Sequence, residues 1–212
     1  MSKTPAQRAR KHGDRAAVAP SGRTPLPEPT RRKAQPGEGN PKLIVIAALG
    51  ATVFMFWYFH LLTLTQMTQL SNGLAMPDSL IGGFSAEYVE RLRGVMDADA
   101  LGQLSYVHKT AGTIFALVFG LTFAVVFAAW ARPRAARWIG VALAAAFVVV
   151  RIAGFISIDD ALGSRPFDAG QAALASVLVV LGWVLFAIVL LGGAAVLLVS
   201  WRRKKAAPSA DA

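Results

Sequence analysis

The chain has 212 residues, 55% hydrophobic and only 16% charged, with a formal net charge of +10 and no cysteine. That is the composition of a membrane protein rather than of a soluble domain, and the missing cysteines exclude disulfides, thiolate metal sites, iron–sulfur clusters and cysteine nucleophiles. Three uncharged runs, 43–77, 110–131 and 169–201, and a fourth, 139–158, broken only by Arg151, each reach the roughly 20 apolar residues that cross a bilayer.

Residues 1–42 are rich in Pro, Gly, Arg and Lys with few large apolar residues, so they cannot offset the entropy of ordering and are expected to form a disordered basic cytoplasmic tail. A 42-residue leader is too long for a signal peptide. The tail either sets topology or also contacts anionic headgroups. His12 within it carries no information.

Helix one is predicted from about Leu43 to Thr65, with Phe54, Phe56, Trp57, Tyr58, Phe59 and His60 in its outer half, where amphipathic rings settle at headgroup level. The loop 66–106 is the only outward segment long enough to carry structure. Asn72-Gly73 and Pro77-Asp78 are turn signals. Ser85 has the chemistry of an N-cap, and Glu87 follows in the first turn. Val89, Leu92, Val95 and Met96 then fall at helical spacing opposite Glu90, Arg91 and Arg93, which predicts a short amphipathic helix lying along the outer membrane surface. Asp97 and Asp99 cap a helix that continues through Leu101, Leu104 and Val107 into the second span.

Helix two, about 107–131, has Gly112, Ala116, Gly120, Ala124 and Ala128 every four residues, beside Phe115, Phe119, Phe123 and Phe127. Small residues at this spacing let another backbone approach closely, so the stripe is a helix-packing interface, either inside the chain or toward a second copy or another membrane subunit. Helix three is predicted over 139–158, a loop over 159–171, and helix four over 172–201, where Trp201 and the basic tail 202–212 anchor the inner interface. Seventeen of the twenty-two Lys and Arg fall in 1–42, the second loop and the C-terminal end, against four beside eight acids on the other side. The positive-inside rule therefore puts both termini in the cytoplasm. The fold class is all-α, a polytopic bundle of four transmembrane helices, multi-pass in a bacterial plasma membrane.

Three residues are candidates for a ligand-binding site. Arg151 lies a little beyond the middle of helix three, where a charge costs roughly 2.5–3.5 kcal/mol, so it is expected to face the bundle interior with a partner, either as an anion or headgroup site or as a snorkelling or structurally paired Arg. Asp78, an aromatic face or a carbonyl are open candidates, whereas Asp159, eight residues on, lies about 12 Å along the axis and is too far. His60 and His108 fall at similar depth on different helices, as two axial haem ligands would, although an interfacial histidine is ordinarily a polar residue at the water boundary. Asp97 and Asp99 lack the further ligands of a metal site. No metal or cofactor is expected, and no catalytic or nucleotide-binding motif is present.

Met76-Pro77-Asp78, the run Gly82-Gly83-Phe84-Ser85-Ala86-Glu87-Tyr88-Val89-Glu90-Arg91-Leu92, and Leu104-Ser105-Tyr106 leading into helix two resemble small bacterial four-helix integral membrane proteins that carry a Pro-Asp turn and a Gly-(Phe/Tyr)-Ser-x-Glu helix before the second span. The resemblance covers residues 76–121 and implies topology and an important outer loop, and it imports no reaction. It departs at helix three, where those proteins tend to carry an Asp and a Glu-Asn pair and this chain has Arg151. The expectation is a non-enzymatic accessory or scaffold protein whose partners are the bilayer and either a second copy or other membrane subunits, not nucleic acid. The alternative is a four-helix protein that binds a lipid, quinone or haem.

Overall fold

A computed structural model describes residues 41–206. Of the expected disordered tail, everything before Pro41 lies outside the described residues, as do the last six residues of the C-terminal tail.

The described residues form helices and connecting turns without a strand, and four helices are long and apolar enough to cross a membrane: Leu43–Leu70, Ala98–Trp130, Arg134–Gly163 and Ala169–Arg203, numbered one to four. All four overrun the spans predicted from the apolar runs. Helix one continues past Thr65 because Leu64 and Met67 are buried. Helix three begins at Arg134 and passes Ile158 to Gly163, its last turns held to the core by Ile158, Ala161 and Leu162. The expected loop 159–171 therefore shrinks to 164–168. Asp168 caps helix four, accepting from the backbone N–H of Gly170 at 2.8 Å and of Gln171 at 3.3 Å. That helix runs on through 202–206, which composition had assigned to the tail.

Helix two packs against the other three helices, and helices three and four pack against each other. The regular spacing of Gly and Phe on helix two explains how. A Cβ at Gly120 would run into Val148 and lie 3.2 Å from the Ala144 carbonyl, and one at Gly112 would lie 2.9 Å from Phe155, so helix three sits directly on this face. In the same way Phe127 lies over Gly140 of helix three, and Phe123 over Gly193 of helix four. Close backbone approach, which supplies the dispersion contact that holds helices together in lipid, is thus spent inside the chain. The Thr52 hydroxyl donates to that of Thr122 at 3.1 Å, adding a polar link between helices one and two.

The segment between helices one and two is a folded cap. Asn72 and Gly73 turn the chain with positive φ, and Pro77–Ser79 forms a short 3-10 turn. A helix then spans Ala86–Val95, where the Ser85 side chain accepts from Tyr88 N–H. Its apolar residues Val89 and Leu92 are buried and the helix packs on helices three and four. Of the apolar face predicted to lie along the outer membrane surface, Val89, Leu92 and Met96 are buried in the protein and Val95 alone is exposed. The cap is tied down by Tyr88, whose hydroxyl donates to the Ala75 carbonyl at 2.5 Å, by Phe84 N–H donating to the Ser176 hydroxyl at 2.8 Å, and by Arg93 donating to the Ser164 carbonyl.

Candidate functional site

Beneath the cap, four ionisable side chains from three elements meet. His108, 1% exposed, places Nε2 2.7 Å from Asp78 Oδ2 and Nδ1 2.6 Å from Asp159 Oδ1. An imidazole carrying a proton on each nitrogen donates to both carboxylates. Asp78, wholly buried, has its other oxygen 3.7 Å from Arg151 Nη2, within ion-pair reach but beyond a hydrogen bond. The chain of contacts Asp159–His108–Asp78–Arg151 therefore bridges the two helical turns that separate Asp159 from Arg151 on helix three. Asp159 does not meet Arg151; it serves His108 instead.

Local structure explains how these groups come to one level. Both histidines sit in π-helical turns, Trp57–Thr63 in helix one and His108–Gly112 in helix two. Each turn is closed by a threonine hydroxyl that donates to a carbonyl five residues back, Thr63 to Tyr58 and Thr113 to His108. A π turn accommodates an extra residue in the helix and re-aims the side chains around it, and such turns recur at functional sites. Asp78 is held from behind by Trp183, whose indole N–H donates to the Asp78 carbonyl at 3.0 Å.

The electrostatics are finely opposed. Burial alone would push the Asp78 carboxyl up, but the charge and hydrogen bond of His108, with Arg151 beyond, outweigh it and hold the carboxyl below the usual range. Arg151, 4% exposed, is flanked by rings: its guanidinium carbon lies 4.9 Å from the centre of Phe155 and 6.0 Å from that of Trp183. Gly182 makes room for its stem, since a Cβ there would lie 2.8 Å from Arg151 Cδ.

His60 does not join this chain. It faces Trp183, Phe56 and Phe115 at ring distances of 5.0, 4.9 and 5.2 Å, and its Nδ1 has no hydrogen-bond partner. Arg151 Nε and Nη2 are likewise buried without one. These atoms belong to residues lining one narrow gap with Phe115, Phe147, Trp183 and Phe186, too tight in this state to admit a water-sized molecule. A buried donor left unpaired costs about 1–3 kcal/mol, so Arg151 Nε, and His60 Nδ1 in the tautomer that protonates it, leave room for an acceptor here, whereas Arg151 Nη2 already faces Asp78 Oδ1. His60, Trp183 and Phe186 are only half-buried and form its rim, and Phe56 stacks on Phe186 at 5.6 Å beside them, so that helices one and four meet through rings.

The gap is far smaller than a macrocycle needs, and both ring nitrogens of His108 already serve carboxylates, so His60 and His108 do not present a pair of free axial ligands. Among the described residues no group of three or more His, Asp or Glu has the arrangement to hold a metal ion. Of the predicted small-residue stripe, Gly112, Ala116 and Gly120 are buried in seams within the chain, Ala124 is half-buried and Ala128 is exposed. The sequence signal missed Asp159, whose role depends on how helix two is turned. No protein family, curated protein or solved structure matches the chain.

Proposed function

We propose that the chain is a multi-pass protein of the bacterial plasma membrane, both termini cytoplasmic, that binds a small amphiphile through an acceptor oxygen placed between Arg151 and His60. The distribution of Lys and Arg supports this orientation. The observation that carries the ligand site is that Arg151 Nε and His60 Nδ1, both buried without a hydrogen-bond partner, belong to residues lining one gap with a half-buried aromatic rim. A quinone carbonyl or a lipid headgroup oxygen supplies the missing acceptor, and its apolar tail lies along the rim in the bilayer. The gap as it stands is tight, so entry requires Trp183 or Phe186 to swing aside. The role is binding rather than catalysis. An accessory function through the helix-two stripe has less support, because its most regular part is consumed by helices three and four.

The test is to purify the full chain in mild detergent, record its absorption spectrum, and identify what co-purifies by native mass spectrometry. A stoichiometric quinone or lipid that is lost in Arg151→Leu and in His60→Leu is the expected result; His60→Leu disturbs no ion pair and so guards against simple misfolding. Retention of the same ligand by both variants would overturn the site, and a Soret band would replace it with haem.

A further inference from the structure

A second cavity lies at the opposite end of the bundle, where the turn between helices two and three meets the last turns of helix four. Its volume is about 680 Å³. Small side chains create it: Ala129, Ala136 and Ala195 line it together with Val196 and Val199, and a leucine at any of the three alanines would fill part of the space. Trp130 stands beside it, a residue type that marks the level of headgroups.

Three arginines surround this apolar groove, Arg132, Arg137 and Arg203, and all are exposed. Among the described residues none of them pairs with a carboxylate; Arg137 reaches only the Ala131 carbonyl, at 3.5 Å. Every described acid belongs to the cap or to the helix ends beside it. The groove thus joins a wall fit for a hydrocarbon chain to three planar cations fit for bidentate phosphate contacts. Basic pockets between transmembrane helices are where anionic headgroups bind.

We propose that this groove is a binding site for an anionic glycerophospholipid, with its phosphate held by Arg132, Arg137 and Arg203 and an acyl chain against Ala129, Ala136 and Ala195. A free phosphate has no use for the apolar wall, and a zwitterionic lipid brings a cation of its own that meets the guanidiniums unfavourably. The site is independent of Arg151 and His60.

The experiment is native mass spectrometry of the delipidated full chain in mild detergent, titrated with phosphatidylglycerol, cardiolipin or phosphatidylcholine, with inorganic phosphate as competitor. The anionic lipids are expected to bind and phosphatidylcholine to bind much more weakly. Each of Arg132→Gln, Arg137→Gln and Arg203→Gln should weaken binding about fivefold, and the three together about a hundredfold, while Arg91→Gln on the cap changes nothing. Ala195→Leu, which keeps every charge, should also weaken it. Equal binding of phosphatidylcholine, or a triple variant that binds normally, overturns the proposal. So does full displacement by inorganic phosphate with Ala195→Leu unaffected, which would make the groove a phosphate site. Because the arginines are exposed, their variants should keep the wild-type thermal transition, which the same preparations check.

Discussion

Asp78→Asn isolates the role of the buried charge. The substitution keeps the side chain's shape and leaves the Trp183 bond to the backbone carbonyl in place, but it removes the carboxylate that meets His108 at 2.7 Å and Arg151 at 3.7 Å. Arg151, 4% exposed, then has no counter-charge within reach. Breaking one side of a buried pair costs about 3–5 kcal/mol, whereas an exposed pair is worth about 0–1 kcal/mol. Equilibrium unfolding in detergent should show the larger loss, and amide hydrogen exchange should rise first across the cap, residues 76–95. The pH dependence has a definite sign. The folded-state carboxyl is held below its unfolded value, so its stabilisation is complete above about pH 4 and fades as pH falls through the lower folded value. Wild type should lose its advantage over Asp78→Asn in that acid window. Adding Arg151→Met should restore part of the loss, because a neutral pair replaces an orphaned charge. A single variant within about 1 kcal/mol of wild type at neutral pH would refute the reasoning.

Two glycine positions test the packing. Gly120→Ala drives a methyl group into Val148 and should cost about 1–3 kcal/mol by overpacking, while Gly102→Ala, with nothing within 4 Å, should be neutral or stabilise the helix by up to about 1 kcal/mol; thermal unfolding of both decides whether the helix-two seam lies inside the chain. Gly83→Ala combines a φ of +82° with a Cβ 2.6 Å from the Ser176 hydroxyl, so it should speed hydrogen exchange in the cap more than Ser176→Ala, which removes only one hydrogen bond.

Four apolar runs announced four helices, since crossing a bilayer demands length and the absence of charge, and Ser85 and Asp97 were legible as caps from their chemistry. The helix ends were not, because hydropathy stops where the membrane stops and a helix need not. Asp159 is the instructive case. A carboxylate at the end of an apolar run looks like loop, yet it lies in the continuing helix and faces His108 at 2.6 Å. Arg151 was legible as a buried charge in need of a partner, and Asp78 as one candidate among several, but sequence separation gave no means of choosing. His108 looked like an interfacial residue because nothing local signals that two carboxylates converge on it.

The deepest reason the site was hidden is the pair of π turns. Sequence periodicity assumes about 100° per residue along a helix, and a π turn breaks that phase, so a face drawn through the Phe115–Phe127 stripe does not extend back to His108. The π turn His108–Gly112 absorbs one residue in a wide turn, so the rings below pack in the aromatic core while the imidazole above reaches Asp159 and Asp78. Deleting Lys109, an exposed residue of that turn, tests this. It should return the segment to a regular α-helix without rotating the residues before it, because the wide turn already absorbs the residue removed and the flanks keep their phase. The seam at Gly120 and the His108 contacts should both hold, and cap exchange should stay near that of wild type. If the deletion instead raised cap exchange to the level seen with Asp78→Asn, helix phase would not be what aims His108, and the convergence of the charged cluster would need another cause.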